Sequence, residues 1–221
     1  MENVEGFFKQ LMQREHADKL QRYRILNQDV KKGEILFTGS SLMEHFPINE
    51  LMMTEGMTQI IYNRAIGGFT TTDMLAHMEE TVFGTEPSRI FINIGTNDIS
   101  AKDYRLEKLL ENYEKIIRQI QERLPAAQIY MMAYYPVNEK DKLPEDDWGI
   151  NMFATRTNQA IDKANKAIEE LAEKLGCRFI NVNQGLVDEN GRLRKEFTLE
   201  GIHMYANAYR VILNNMKPYL Q

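Results

Sequence analysis

The sequence is poor in cysteine, since Cys177 is the single one among 221 residues. One thiol cannot form an intrachain disulfide, and no group of Cys and His residues has the spacing of a zinc site. Cys177 lies beside an apolar run, which favours a buried structural thiol over a reactive one. The sequence therefore excludes a disulfide-stapled scaffold and a zinc-stabilised domain, and we expect no metal site.

The sequence also lacks an excess of positive charge. It has 27 Lys and Arg residues against 32 Asp and Glu residues, which gives a formal net charge of -5. Such a chain offers no cationic field for a phosphate backbone. We therefore expect no nucleic-acid partner.

Long apolar runs are missing as well. No stretch reaches the roughly 20 apolar residues that span a bilayer, and no strongly basic amphipathic helix is apparent. The N-terminus mixes acidic, basic and apolar residues, without the apolar core or the cleavage site of a signal peptide. We expect no stable membrane insertion and a cytoplasmic location.

Five short apolar runs have the length of buried strands, and longer segments with helical periodicity lie around them. The runs cover residues 34–39, 59–63, 89–94, 128–134 and 178–182. The helical segments cover residues 4–26, 104–124, 153–175 and 204–219. Strands that alternate with helices of this length predict an α/β fold with a parallel sheet covered on both faces. We predict one domain overall, with an N-terminal helix over residues 1–28 packed on residues 29–221.

Unusual polar residues follow the predicted strands, at the edge where parallel sheets bind ligands. They occur in Gly39-Ser40-Ser41, in Gly67-Gly68 and in Gly95-Thr96-Asn97-Asp98. A fourth segment, Glu200-Gly201-Ile202-His203, precedes the last helix. Each segment alone has an ordinary explanation as a helix cap or a turn. Together they supply the hydroxyl, imidazole, carboxylate and hydrogen-bond donors that acyl transfer requires.

At these four segments the chain resembles the SGNH hydrolase superfamily, also called GDSL esterases and lipases. The resemblance covers nearly all of the chain except the N-terminal helix and implies a three-layer αβα sandwich with a flavodoxin-like, five-stranded parallel sheet. It implies that Ser41 is the nucleophile and His203 its base. It also implies an oxyanion hole formed by the backbone N–H groups of Ser41 and Gly68 and by the side-chain amide of Asn97.

Two residues depart from the family pattern. Ser40 replaces the usual aspartate of the first block, a position that supports the loop, so we expect activity to survive. Glu200 replaces the aspartate that orients the histidine, and its extra methylene has to fold back to reach the same ring nitrogen. Ser-His-Glu arrangements are chemically workable. In this family a backbone carbonyl can also orient the histidine, so both explanations stay open at this point.

The resemblance further implies a serine ester hydrolase that forms an acyl-enzyme and needs no cofactor. We expect the substrate to be a small molecule, carbohydrate or lipid carrying a short acyl ester such as acetyl, as in the carbohydrate esterase and platelet-activating-factor acetylhydrolase branches. Phe69, Tyr134 and Trp148 are weaker candidates for lining its pocket, because aromatic side chains also serve as core. Residues 138–151 have loop composition and could form a lid or a solvated excursion.

Other functions remain open from the sequence. The same fold could serve a lysophospholipase or thioesterase that acts on longer acyl chains. A flavodoxin-like binding module, or a degenerate family member that binds acylated ligands without turnover, would lack the chemistry altogether. The N-terminal helix and the apolar C-terminal residues could also support a homodimer.

Overall fold

The structure is a computed structural model that describes residues 2–140 and 152–221. Its sheet consists of β1 Ile35–Gly39, β2 Ile61–Asn63, β3 Arg89–Asn93, β4 Gln128–Met132 and β5 Arg178–Ile180. The strand order is β2-β1-β3-β4-β5, and every neighbouring pair is parallel. This is the flavodoxin-like order, in which the sheet grows first to one side of β1 and then to the other. The predicted α/β fold is confirmed.

Helices of two lengths surround the sheet. They are α1 Glu2–Leu26, α2 Ser41–Glu44, α3 Ile48–Thr54, α4 Thr71–Ala76, α5 Met78–Thr81, α6 Thr96–Ile99, α7 Leu106–Arg123, α8 Asn158–Lys174 and α9 Ala206–Leu220. The four long ones lie where the helical periodicity predicts them. The short helices α2 to α6 were not predicted, because at most seven residues give too few turns for a periodic apolar pattern.

One face of the sheet carries a row of aromatic rings in contact with one another. The ring centroids of Phe37 and Phe91 are 5.3 Å apart, and those of Phe91 and Tyr130 are 4.5 Å apart. The row continues from Tyr130 to Tyr219 of α9, at 5.9 Å. Such pairs contribute about 0.5–1.5 kcal/mol each beyond the area that they bury. The pair of Tyr130 and Tyr219 holds α9 against this face of the sheet.

The opposite face is covered by α7, α8 and the short helices between β2 and β3. The inward residues of α7 recur at helical spacing from Leu109 to Ile120, and the Tyr113 hydroxyl donates to the carbonyl oxygen of Ile92 in β3 at 3.3 Å. α7 also packs against α4 and α8. Helices on both faces produce the three-layer αβα sandwich.

The apolar run of residues 128–134 extends beyond its strand. β4 ends at Met132, yet Ala133, Tyr134 and Tyr135 are all buried. The N–H of Tyr134 donates to the side chain of Asn165 at 2.7 Å instead of to a neighbouring strand. The apolar run of residues 128–134 therefore predicts correctly that these positions are mostly buried, but it predicts a strand two residues longer than β4.

Helix α1 lies on the rest of the molecule through one face, which carries Leu20 of the hydrophobic core together with polar side chains. The Tyr23 hydroxyl donates to the carbonyl oxygen of Ala65 at 2.7 Å, and the Arg24 Nε donates to Glu80 at 2.7 Å. α1 also packs against α5. Across the described parts of the chain, none of the helices is both long enough and apolar enough to cross a bilayer.

Candidate active site

The chain turns sharply from β1 into α2, and Ser41 is the first residue of that helix. Gly39 has a φ angle of +150°, and a Cβ atom on it would lie 2.1 Å from the carbonyl oxygen of Asn93 at the end of β3. Only glycine allows the ends of β1 and β3 to approach this closely. Ser41 thus lies beside the switch point of the sheet, where ligands bind in open α/β folds.

Ser41 and His203 are hydrogen-bonded to each other. The Oγ of Ser41 is 2.9 Å from the Nε2 of His203, although 162 positions separate the two residues in the chain. Ser41 follows β1, whereas His203 lies in the turn before α9. At this distance the imidazole can take the proton of the hydroxyl.

Glu200 folds back onto the other side of the His203 ring. Its Oε1 lies 2.5 Å from His203 Nδ1 and accepts the backbone N–H of His203 at 2.9 Å. Because a carboxylate oxygen only accepts, Nδ1 carries the hydrogen and Nε2 of the neutral ring is left to accept from Ser41. The structure thus places a carboxylate, and not a backbone carbonyl, at Nδ1.

Two effects with opposite signs act on the Glu200 carboxyl. Burial is the largest and raises the pKa, since the side chain has little contact with solvent. The hydrogen bonds from the ring and the backbone of His203, together with the positive charge that the ring has when protonated, outweigh it, and the pKa of Glu200 lies below its ordinary value. Glu200 is therefore ionised at neutral pH, as stabilisation of an imidazolium requires.

Two backbone N–H groups beside this chain of hydrogen bonds are unengaged. Within the described residues, neither the N–H of Ser41 nor that of Gly68 donates a hydrogen bond. A Cβ atom on Gly67 would lie 3.6 Å from the Cβ of Ser41, so the turn with both glycines lies against the serine. The Asn97 Nδ2 donates to the carbonyl oxygen of Phe69 at 2.9 Å and retains a second hydrogen. These are the donors that an oxyanion site requires.

Comparison with known proteins decides the family. The model of the GDSL-like Lipase/Acylhydrolase family matches residues 50–211, which are more than half of the chain. The chain belongs to this family. It is a carboxylic ester hydrolase, and the resemblance seen in the sequence is confirmed. The match contains Gly68, Asn97 and His203 but begins after Ser41, so the role of Ser41 is inferred from the geometry.

Known proteins similar to this acylhydrolase differ in their described roles. A Streptococcus pneumoniae protein described as a platelet activating factor is 30% identical, with 100% of both chains covered and a TM-score of 0.88. A catalytic mutant of an acetylxylan esterase from Geobacillus stearothermophilus is 16% identical over 86% of this chain and 95% of that chain, with a TM-score of 0.63. The latter likeness shows the fold alone.

A curated relative is an N-acylneuraminate cytidylyltransferase from Escherichia coli O18:K1:H7. It is 22% identical over 215 residues, which are 93% of this chain and 46% of that protein. The acylhydrolase thus spans about half the length of this relative.

A buried cation that the sequence did not predict lies beside Asn97. Arg156 is 3% exposed, and its Nη2 donates to the Oδ1 of Asn97 at 2.8 Å. Because Oδ1 is held by this donor, the amide nitrogen of Asn97 faces the other way. Burial lowers the pKa of Arg156 to about 10, although the charge of Glu200 opposes the shift. The guanidinium is still charged at neutral pH and orients the amide. No motif in the sequence points to Arg156.

Asp98 connects α6 with α4. Its carboxylate accepts the N–H of Thr71 at 2.9 Å and the hydroxyl of Thr71 at 2.5 Å. Burial raises the pKa of Asp98, against the effect of these hydrogen bonds. Since Asn97 lies in α6 and Thr71 follows the turn with Gly68, Asp98 fixes the expected oxyanion donors relative to one another.

Two of the three aromatic side chains expected at the substrate pocket are core residues, which corrects that prediction. Phe69 is 1% exposed and lies under α1, with its ring 5.0 Å from that of His16. Tyr134 is fully buried, and its hydroxyl donates to the carbonyl oxygen of Ile94 at 2.7 Å. Trp148 and most of the loop over residues 138–151 lie outside the described residues.

Cys177 is half-buried between α7 and α8. Its sulfur lies 3.7 Å from the Gln121 Nε2 and 3.9 Å from the carbonyl oxygen of Leu175. Burial raises the pKa of the thiol to about 11, which makes it a weak nucleophile. Among the residues that the structure describes, no three His, Cys, Asp or Glu side chains are grouped as metal ligands.

Replacing Asn97 with alanine is expected to lower the kcat for p-nitrophenyl acetate about a hundredfold, because an oxyanion donor stabilises the transition state by about 3 kcal/mol. The sequence alone predicts an unchanged melting temperature. The structure changes that expectation, since buried Arg156 loses its acceptor, at a cost of about 1–3 kcal/mol of stability. Steady-state kinetics and thermal melting measure the two effects.

The matched control is Asn97→Asp, which keeps an acceptor for Arg156 and removes the N–H donor. We expect it to melt above the alanine variant, because the pair with Arg156 is kept, although the hydrogen bond to Phe69 is lost. It should be at least as slow as the alanine variant, because its negative charge opposes the oxyanion. Full turnover in either variant would remove Asn97 from the mechanism.

Proposed function

We propose that this acylhydrolase removes short acyl groups, in particular acetyl, from a carbohydrate ester through an acyl-enzyme on Ser41. The observation that carries the chemical part is the continuous chain of hydrogen bonds from Glu200 through His203 to Ser41. It lies beside the unengaged N–H groups of Ser41 and Gly68. A nucleophile, a base, an orienting carboxylate and an oxyanion site are then all present.

The first half of the proposed reaction forms the acyl-enzyme. Ser41 Oγ attacks the ester carbonyl carbon while its proton moves to His203 Nε2, and the carbonyl oxygen becomes an oxyanion. Gly68, Ser41 and Asn97 donate hydrogen bonds to that oxygen. The tetrahedral intermediate collapses as the carbon–oxygen bond to the alcohol breaks, and the leaving alcohol takes the proton from Nε2. Glu200 stabilises the transient imidazolium and stays ionised throughout.

The second half repeats these steps with water. His203 Nε2 removes a proton from a water molecule, whose oxygen attacks the acyl carbon on Ser41. The same donors hold the second oxyanion. Its collapse breaks the bond to Ser41 Oγ, which regains its proton from Nε2, and the carboxylic acid leaves. Each proton that His203 accepts is returned within the same half-reaction.

Two features of the structure support a small acyl group, and two comparisons support a sugar. Helix α1 closes the space behind the expected oxyanion turn, where Met12 Cε and His16 Nε2 would lie 2.9 and 3.3 Å from a Cβ atom on Gly68. Phe69 and Tyr134, the aromatic side chains that could have lined a pocket for a long acyl chain, are buried in the core instead. The fold is that of an acetylxylan esterase, and a curated relative is described as acting on an acylated sugar, N-acylneuraminate.

Acyl preference is tested with p-nitrophenyl acetate, butyrate and octanoate. We expect kcat/KM to be highest for acetate and to fall about tenfold or more towards octanoate. Additional methylene groups that find no apolar pocket lower kcat/KM. Octanoate as the fastest ester would contradict the acetyl proposal and favour a lysophospholipase or thioesterase.

Substrate class is tested by measuring acetate release from three acetylated compounds, with Ser41→Ala protein as the blank. The panel contains acetylated xylo-oligosaccharide, O-acetylated N-acylneuraminate and a 2-acetyl phospholipid. Release from either sugar, faster than from the phospholipid, is the expected result. Release from the phospholipid alone would overturn the carbohydrate part of the proposal.

A further inference from the structure

The turn that presents Gly68 to Ser41 has a conformation with a close alternative. It runs from Ile66 to Phe69 and is closed by a hydrogen bond from the Phe69 N–H to the Ile66 carbonyl oxygen at 3.2 Å. Gly68, in the third position, has a φ angle of +80°. A positive φ at this position is the mark of a type II turn, and a negative one marks type I.

The two turn types differ by a rotation of the middle peptide through about half a turn. Here that peptide joins Gly67 to Gly68, so its two ends are the carbonyl oxygen of Gly67 and the N–H of Gly68. In the alternative turn the N–H would point away from Ser41 and the carbonyl oxygen would take its place. Glycine on both sides makes either orientation sterically accessible. The turn sequence alone therefore does not select the orientation with a donor at the oxyanion.

His16 of α1 selects the orientation of the Gly67–Gly68 peptide that places a donor at the oxyanion. Its Nε2 lies 2.8 Å from the carbonyl oxygen of Gly67, and because a carbonyl oxygen only accepts, His16 is the donor. The C=O and N–H of a trans peptide point in opposite directions, and the described residues contain no cis peptide bond. Holding the oxygen of Gly67 towards α1 thus directs the N–H of Gly68 away from α1. Ser41 packs against the adjacent Gly67 and is inferred to lie on that side.

The two peptide groups before Gly67–Gly68 are each held by hydrogen bonds from α1 or from residues beside α1. The N–H of Gly67 donates to Glu44 Oε2 at 2.6 Å, and Glu44 Oε1 pairs with Lys19 of α1 at 2.6 Å. One peptide earlier, the carbonyl oxygen of Ala65 accepts from Tyr23 of α1, and the N–H of Ile66 donates to Gly39. Among the described residues, the middle peptide of the turn has one anchor, which is His16.

We propose that His16 is a positioning residue for catalysis, which holds the Gly67–Gly68 peptide in the orientation that completes the oxyanion hole. The inference rests on the proposed function, because it needs an oxyanion next to Gly68. It gives α1, which lies outside the residues matched by the family model, a direct part in the active site. Without this hydrogen bond the Gly67–Gly68 peptide populates both orientations. In one of them no N–H faces the oxyanion, so the oxyanion is not stabilised.

Two variants separate the hydrogen bond from the packing of the ring. His16→Phe keeps a ring against Phe69 and removes the donor, whereas His16→Gln removes the ring and keeps an N–H donor of similar reach. With p-nitrophenyl acetate we expect His16→Phe to lower kcat about tenfold or more at nearly unchanged KM, and His16→Gln to recover most of the rate. Wild-type kcat in His16→Phe, or equal losses in both variants, would overturn the inference.

Tyr23→Phe is the matched control on the same helix. It removes a hydrogen bond from α1 to Ala65, whose peptide is also held through Ile66, so we expect kcat within about twofold of the wild type. A loss as large as that of His16→Phe would mean that any weakening of α1 slows the enzyme, and the specific role of His16 would be wrong.

An NMR measurement tests the orientation without relying on turnover. The amide resonance of Gly68 is followed while a fluorophosphonate reacts with the enzyme. We expect a large downfield shift of the amide proton in the wild type and in His16→Gln, and a much smaller shift in His16→Phe. Equal shifts in all three would refute the inference, whereas a wild type that does not react at all would refute the proposed function instead.

Discussion

Ser41→Ala protein is expected to lose kcat/KM for p-nitrophenyl acetate by a factor of about 10⁴ to 10⁶, the range seen when a hydrolase loses its nucleophile. The reason is that His203 Nε2 then has no hydroxyl to activate, although the oxyanion donors are still in place. The same variant should not react with a fluorophosphonate, whereas the wild type should gain one adduct. Steady-state kinetics and intact-mass spectrometry measure both effects.

Ser40→Ala is the matched control, since the neighbouring hydroxyl is the other candidate in this motif. Ser40 is fully buried, and within the described residues its Oγ forms no hydrogen bond. We expect this variant to keep its activity within about threefold of the wild type and to be labelled normally. Labelling that persists in Ser41→Ala and disappears in Ser40→Ala would shift the nucleophile by one residue.

Glu200→Gln is expected to lower kcat about a thousandfold. The corresponding change of aspartate to asparagine in a serine protease costs about 10⁴ because it disturbs the histidine tautomer. Here the glutamine carbonyl can still accept from Nδ1 and from the backbone N–H, so the loss of negative charge is the larger part of the effect. Because the pKa of Glu200 lies below its ordinary value, the wild-type carboxyl is ionised throughout about pH 6 to pH 8, so its own titration does not contribute to the difference between the two rates in that range.

Glu200→Asp serves as its control, because it keeps the charge and restores the residue that is usual in the family. We expect it to be markedly faster than Glu200→Gln, although its shorter side chain has to reach the same nitrogen. Rates equal to the wild type in Glu200→Gln would mean that the carboxylate is dispensable and that another acceptor orients His203.

The sheet could be predicted because each strand has its own apolar run. The runs of residues 34–39 and 89–94 each exceed the observed strands β1 and β3 by one residue. The agreement is close because a parallel strand covered on both faces is apolar along its length. The five helices from α2 to α6 could not be predicted, because each has at most seven residues, which are too few for a periodic apolar pattern. The domain division remains a prediction.

Four site residues were accessible from the sequence because chemically distinctive side chains or glycines follow three of the strands and precede the last helix. Ser41, Gly68, Asn97 and His203 come from segments far apart in the chain, and the structure brings them to one edge of the sheet. Their roles in catalysis remain predictions until the variants are measured.

Arg156 and His16 could not be predicted in the same way, because each acts through a contact that only the fold creates. His16 did leave a signal, since it shares an inward face of α1 with Leu20 and Tyr23, and a polar residue on such a face needs a partner. Phe69 and Tyr134 were predicted to line the substrate pocket, but both are buried in the core. An aromatic residue type does not distinguish a pocket wall from a buried core position.

The central claim is that Ser41 attacks an ester whose oxyanion is held by Gly68 and Asn97. A crystal structure of the phosphonate adduct tests it most directly. We expect phosphorus bonded to Ser41 Oγ, with one phosphonyl oxygen about 3 Å from the backbone nitrogens of Ser41 and Gly68 and from the Nδ2 of Asn97. An adduct on another residue, or a phosphonyl oxygen facing away from these nitrogens, would contradict the account.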